Sequence, residues 1–251
     1  MINYQKNFEE KGYIVLRSIF SNSEIKKIKL SVPSVTKQLK KYEGRYIHFT
    51  KDGRPNTIHN INDLLSKNHY LNRVGKKKKL LSVIKKILRG KPKLRNVEFF
   101  LKPKKTGNDA PFHQDNFYWN VVNGEAVNVW IACSKVNYKN GGVIYLEGSQ
   151  KLGVIKHILS NKPGSSQQIP NEVLAKVKKG FKGICPRLKP GDCIVHSSEV
   201  IHGSKKNISN IDREGLVISF IKKDAIYDQI KLRLYKNSLE KNIRKMKKNS
   251  K

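Results

Sequence analysis

Acidic side chains are scarce in this chain. It has 19 Asp and Glu against 52 Lys and Arg in 251 residues, a formal net charge of +33. Cysteine, methionine and tryptophan are scarcer still, at three, two and two. No apolar run approaches the roughly 20 residues that a membrane-spanning helix needs. The opening residues, Met1 to Glu10, carry acidic side chains and lack the apolar core of a secretory leader, so the expected location is cytoplasmic. Cys133, Cys185 and Cys193 are odd in number and have no zinc-type spacing. That excludes a fully paired disulfide framework, and the three read as reduced, buried thiols.

What is present is enough for a core. Ten Tyr, nine Phe and many branched aliphatics exclude a globally disordered chain. The length suits one domain over 1–251: a helical N-terminal support over about 1–92, a β core over about 93–223 and a basic tail over about 224–251. The positive charge has two readings, a polyanionic partner or a lysine-rich surface. Lys outnumbers Arg, whereas specific readers of phosphates and bases favour the planar fork of Arg. The surface reading is therefore preferred, and no specific nucleic acid is expected.

Along the chain, Gly12 to Arg17 reads as a short strand. Ser21-Asn-Ser-Glu24 fits a capping box with Ser21 as N-cap, and Ile25, Ile28 and Leu30 follow on a helix that Pro33 is expected to interrupt or end. Residues 44 to 60 read as loops or short strands. A second helix spans about Lys76 to Leu88, closed by Gly90 and Pro92. From residue 94 short β-branched runs alternate with turn residues. Strands are expected at 94–102, 111–117, 125–133, 142–146, 153–158, 191–197 and 214–222, with a helix near 170–179. The class is mainly β with flanking helices, a sandwich or barrel. The tail places Ile230, Leu234, Leu239, Ile243 and Met246 among lysines. It reads either as a helix packing an apolar edge on the domain or as a basic end fraying beyond Asn242.

The chemistry concentrates at Pro111-Phe-His-Gln-Asp-Asn-Phe-Tyr-Trp119. On a strand, His113 and Asp115 would point to one face and supply two thirds of a facial triad for ferrous iron. His-x-Asp alone is a weak signal. The third ligand must be a distant histidine, from His157, His196 or His202. His202 is favoured because Arg213 opens a strongly β-forming run 213 − 202 = 11 residues later. A guanidinium buried there needs an anion, for which its fork is bidentate. A metal site with a carboxylate clamp beside it fits a chelating diacid such as 2-oxoglutarate. His157 and His196 are left with structural roles.

His113-Gln-Asp115, Trp130, Gly141 to Gly148-Ser-Gln-Lys151, His202-Gly-Ser204 and Arg213 together resemble the phytanoyl-CoA dioxygenase family, over about Phe8 to Lys222. The resemblance implies a double-stranded β-helix (jelly-roll, cupin-like) core and a dioxygenase using Fe(II), with 2-oxoglutarate and O2 as cosubstrates. It implies hydroxylation of an unactivated C–H bond of a small organic substrate, with release of succinate and CO2. His113, Asp115 and His202 would hold iron, and Arg213 with Ser204 the distal carboxylate of 2-oxoglutarate. Trp130 and Lys102 would line that pocket, while Trp119 and Tyr118 would face substrate. Gln150 departs from the family's Gly-Ser-His-Lys at a position that is not an iron ligand. The carboxylate of Asp115 favours hydroxylation over halogenation. A basic surface suits an anionic substrate. Three other readings stay open: a basic nucleic-acid or membrane-surface binder on an inactive oxygenase scaffold, a His-Asp-His metal hydrolase, and an oxygenase acting on a macromolecule instead of a small molecule.

Overall fold

The computed structural model describes residues 4–39, 47–49, 58–61, 64, 69–160 and 167–248. In chain order its elements are α1 (Tyr4–Lys11), β1 (Tyr13–Leu16), α2 (Asn22–Leu39), β2 (Ile47–Phe49), β3 (Ile58–Ile61), α3 (His69–Val74), α4 (Lys78–Ile87), β4 (Pro92–Lys102) and β5 (Ala110–His113). There follow α5 (Asn116–Trp119), β6 (Ala126–Ala132), β7 (Val143–Leu146), β8 (Ile158–Leu159), β9 (Gln167–Gln168), α6 (Asn171–Gly180), β10 (Gly183–Ile184), β11 (Cys193–Ser197), β12 (His202–Ser204), β13 (Arg213–Lys222) and α7 (Gln229–Lys248).

Two antiparallel sheets form the jelly roll. The larger has the order β1-β11-β6-β13-β4-β3-β2, and the smaller β10-β7-β12-β5. Alternation along the strands of the larger sheet sorts its side chains. Val127, Val129 and Ile131 of β6, Val195 of β11, and Leu216, Ile218 and Phe220 of β13 join Ile25 and Ile28 of α2 and Leu80 and Ile84 of α4 in the main apolar core. The helices therefore cover one face of this sheet. The opposite face turns Trp130, Ile194 and Val217 toward Tyr145 of the smaller sheet. Asn128, His196 and Arg213 fall on that inner face by the same period of two, buried among apolar neighbours. The N-terminal half thus shields the outer face and leaves the inner one for the site.

The capping box forms as expected: Glu24 N–H donates to Ser21 Oγ (3.2 Å) and Ser21 N–H to Glu24 Oε2 (2.7 Å). Several expectations are corrected. Pro33 lies inside α2 and does not end it. Strand β5 stops at His113, because Asp115 takes helical dihedrals (φ −62°, ψ −34°) at the head of α5. Of the run 153–158 only Ile158 is strand, as the first residue of β8. The tail is one helix to Lys248, but Ile230 and Leu234 are exposed (75% and 63%) where an apolar edge was expected to pack. Tyr235 turns inward instead, against Phe117 and Tyr118 of α5. No helix among the described residues is long and apolar enough to cross a membrane.

Candidate active site

His113 and His202 are direct partners in the β5–β12 register, which brings their rings to a centroid separation of 4.4 Å. Asp115 joins them through the turn after β5. Gln114, fully buried between the two, points the other way. Its amide donates to the carbonyls of Gly153 and Glu199 and accepts from the Ile155 N–H. That clamp fixes the turn, so the spacing of two works here through a strand end and a helix start.

The donor atoms converge. His113 Nε2 lies 3.6 Å from Asp115 Oδ1, and His202 Nε2 lies 3.8 Å from Asp115 Oδ2. All three ligand atoms fall within 4.8 Å of one another. Adjacent ligands bonded at about 2.1 Å to one ion are on the order of 3 Å apart, so small shifts suffice. The tautomers fit as well. His113 Nδ1 is 2.9 Å from the Pro111 carbonyl and His202 Nδ1 3.0 Å from that of Val200. A carbonyl only accepts, so both Nδ1 atoms carry a proton and both Nε2 atoms face the carboxylate. Burial alone would lower the His113 imidazole, but Asp115 outweighs it and raises it. Burial pushes the His202 imidazole down to about 3, which keeps it neutral and able to ligate. Burial alone would raise the Asp115 carboxyl, but His202, His113 and His196 outweigh it and hold it well below the usual carboxylate range. Two imidazoles and one carboxylate on one side of a cavity match the donor set of non-haem ferrous sites.

Asp115 is oriented from the opposite sheet. Asn128 Nδ2 donates to its Oδ2 (2.8 Å), and Asn128 Oδ1 accepts from Ser219 Oγ (2.6 Å). His196 Nε2 lies 3.3 Å from the same oxygen and Nδ1 3.1 Å from Tyr145 Oη. A carboxylate accepts, so His196 donates to it and receives the Tyr145 hydroxyl proton. His196 was expected to satisfy a backbone group; it acts instead on the site, through the side chains of Asp115 and Tyr145. The role of Asn128 was missed. Its signal was a lone polar residue on the Trp130 face of an otherwise apolar strand. His157 is remote from the triad donors in bonding terms: its Nε2 accepts the Gln114 N–H and its Nδ1 donates to the Ile155 carbonyl.

A cavity of about 400 Å³ opens beside these donors. Its walls include Lys102, Trp130, Ser204 and Arg213, together with Tyr118 and Trp119. Lys102 Nζ donates to Ser204 Oγ (2.6 Å) and to the Lys205 carbonyl (2.8 Å). Arg213 lies over the Trp130 ring (5.3 Å) and donates through Nε to the Gly141 carbonyl (3.2 Å). Trp130 fits because Gly215 has no side chain: a Cβ there would stand 2.2 Å from the ring. Burial, and next the charge of Arg213, push the Lys102 ammonium well below its ordinary value, with Asp109 acting the other way. Burial lowers Arg213 to about 10, still protonated at neutral pH. Two cations share a wall that an anion would relieve.

The other wall holds a residue that strand patterning could not anticipate. The β4–β13 register slips between Ser219 and Phe220, leaving Arg95 as the extra residue of a bulge. Arg95 lines the cavity and lies over the Trp119 ring at 4.6 Å, with Glu98 on the same wall. Gln150 stays outside the cavity walls; its amide donates to the Glu9 carbonyl (2.8 Å) and ties down α1.

A jelly roll with a buried His-Asp-His cluster and a cationic pocket defines the class of non-haem iron oxygenases. The model of the family described as Phytanoyl-CoA dioxygenase (PhyH) matches residues 8–215, and the chain belongs to that family. It is thereby a dioxygenase of the iron- and 2-oxoglutarate-dependent type. Among curated relatives, the ectoine dioxygenase of Sphingopyxis alaskensis is 22% identical over 218 residues, covering 82% of this chain and 71% of the relative. A probable alpha-ketoglutarate-dependent hypophosphite dioxygenase of Stutzerimonas stutzeri is 23% identical over 233 residues, covering 88% and 78%. Among solved structures, EctD from S. alaskensis with bound Fe superposes with a TM-score of 0.71 at 21% identity, covering 87% of this chain and 75% of that one. The carbocyclase SnoK from nogalamycin biosynthesis gives 0.72 at 16% identity, covering 90% and 86%. These superpositions establish the fold.

Proposed function

We propose that this dioxygenase hydroxylates an unactivated C–H bond of a small organic substrate, with His113, Asp115 and His202 as the iron ligands. The observation that carries the reading is the pair of Nδ1–carbonyl bonds, which turns both Nε2 atoms toward one carboxylate. Iron(II), when bound, supplies the activation of dioxygen coupled to decarboxylation of 2-oxoglutarate.

The chain's own residues do the rest. Arg213 receives the distal carboxylate of 2-oxoglutarate through its planar fork, and Ser204 and Lys102 add hydrogen bonds beside it. Trp130 holds the guanidinium in place from below. Asn128 and His196 fix the Asp115 carboxylate so that it offers one lone pair to the metal. The aromatic wall of Tyr118 and Trp119 excludes water and positions the C–H bond. A His-Asp-His hydrolase gives no account of two buried cations set apart from the donors. The bulge that turns Arg95 into the cavity supports an anionic group on the substrate.

The test is succinate release from protein loaded anaerobically with iron(II) and then given 2-oxoglutarate and air. Slow, uncoupled release that disappears in His113→Ala supports the reading, and its absence at every metal loading overturns it. Candidate acids screened beside their neutral esters then report the substrate class. Acids should accelerate release, and Arg95→Gln should remove their advantage.

A further inference from the structure

Among the described residues, the basic C-terminal helix touches the site only through Tyr235, yet it presents apolar side chains to solvent. Ile226, Ile230 and Leu234 are 68%, 75% and 63% exposed. Ile230 and Leu234 are one helical turn apart on α7. Ile226 precedes the helix, and its carbonyl accepts the N–H of Val122, itself 37% exposed. Val122, Leu234 and the exposed Val154 line a single groove of about 540 Å³. Aliphatic side chains from three distant segments of the chain thus meet at one surface. Single exposed aliphatics are ordinary on proteins, whereas a contiguous patch of them marks a contact surface.

The charge around the patch narrows what covers it. Helix α7 carries six Lys and two Arg against the single Glu240. At 3.6 residues per turn, Lys231 and Arg233 stand about 80° to either side of the Ile230–Leu234 stripe. Lys156 lines the groove as well, and the acidic residues on it are Asp228, which pairs with Lys231 at 3.3 Å, and Glu199. Two copies of such a surface would set like charges against each other. Nucleic acid would match the cations but gain nothing from exposed isoleucine and leucine. A bilayer surface rich in anionic lipid takes both, with the aliphatics at the acyl boundary and the long basic stems reaching the headgroups.

We propose that the face formed by Ile226, Ile230 and Leu234 with Lys231 and Arg233 docks the protein on an anionic lipid surface. Tyr235, next to Leu234, lines both the groove and the site cavity. Docking therefore sets the cavity beside the bilayer. This inference does not rest on the assigned reaction.

The test is co-sedimentation of the full chain with phosphatidylcholine vesicles, either pure or with about 30 mol % phosphatidylserine. The expected result is binding to the anionic vesicles that weakens as NaCl rises from about 0.1 to 0.5 M. The triple variant I226S/I230S/L234S keeps every charge and should bind at least about 10-fold more weakly, with unchanged helix content by circular dichroism. K231Q/R233Q should lose affinity for the anionic vesicles only. Wild-type binding by the serine variant would mean adhesion by charge alone and overturn the proposal. So would failure to bind anionic vesicles, a dimer that the serine substitutions disperse, or duplex DNA displacing the vesicles at equal salt.

Discussion

Lys102 and Arg213 are direct partners across the register of β4 and β13, which sets two buried cations side by side on one wall of the cavity. Neither cation gains from the other, so the pair is organised for an anion arriving from outside. Removing one buried partner of a charge-assisted contact costs about 2–5 kcal/mol. Arg213→Ala should therefore raise the 2-oxoglutarate concentration for half-maximal succinate release on the order of 100-fold. A titration of succinate release against 2-oxoglutarate reads this, and an unchanged requirement would assign the clamp elsewhere.

His113→Ala and Asp115→Ala should each abolish stoichiometric iron(II) binding along with succinate release. Metal analysis after anaerobic loading and desalting measures it. Full iron content in either variant removes that residue from the ligand set.

Asn128→Leu keeps the branching of the side chain at Cγ and deletes its bond to Asp115 and its acceptance from Ser219. Loss of an outer-shell partner of a ligand costs about 10–100-fold in metal affinity. An iron(II) competition titration should show that loss in a folded protein, whereas unaltered affinity would leave the orientation of Asp115 to His196 alone.

Asp192 anchors the start of β11 far from the site. Burial alone would raise its carboxyl. The backbone N–H groups of Lys189 and Ser18, with the Arg17 guanidinium, outweigh it and hold the group below 3.8. A folded-state value below the unfolded one gives stability that is complete above the unfolded value and lost as pH falls through the folded one. Asp192→Asn should lower the urea midpoint most above about pH 5, with the gap closing on acidification below 3.8. A pH-independent gap would show that the carboxylate charge contributes nothing.

The convergence of His113, Asp115 and His202 was legible from His-x-Asp and the later histidine, and the place of Arg213 on the same cavity from its distance after His202. The β5 boundary was not. His-x-Asp reads naturally as strand alternation, but the N–H and side chain of Gln114 are claimed by His157, Gly153, Glu199 and Ile155, and that local bonding turns the chain. The partners of Asp115 come from strands 13 and 81 residues away, and no local pattern links them to it. Arg95 escaped for a related reason: a bulge breaks the alternation of β4, and no local pattern announces it. In the tail, the helical period was visible, but which aliphatics face solvent depends on where Tyr235 finds its aromatic neighbours.

Asp115 hangs from the four-stranded sheet by the turn after β5, while Asn128 and His196, which hold its carboxylate, belong to the seven-stranded sheet. The carboxylate is a clasp between the two halves of the sandwich. An ion captured by His113, Asp115 and His202 adds its binding free energy to folding by mass action. If these three residues are the iron ligands, removing the metal should lower the stability of the fold at this seam as well as stop turnover.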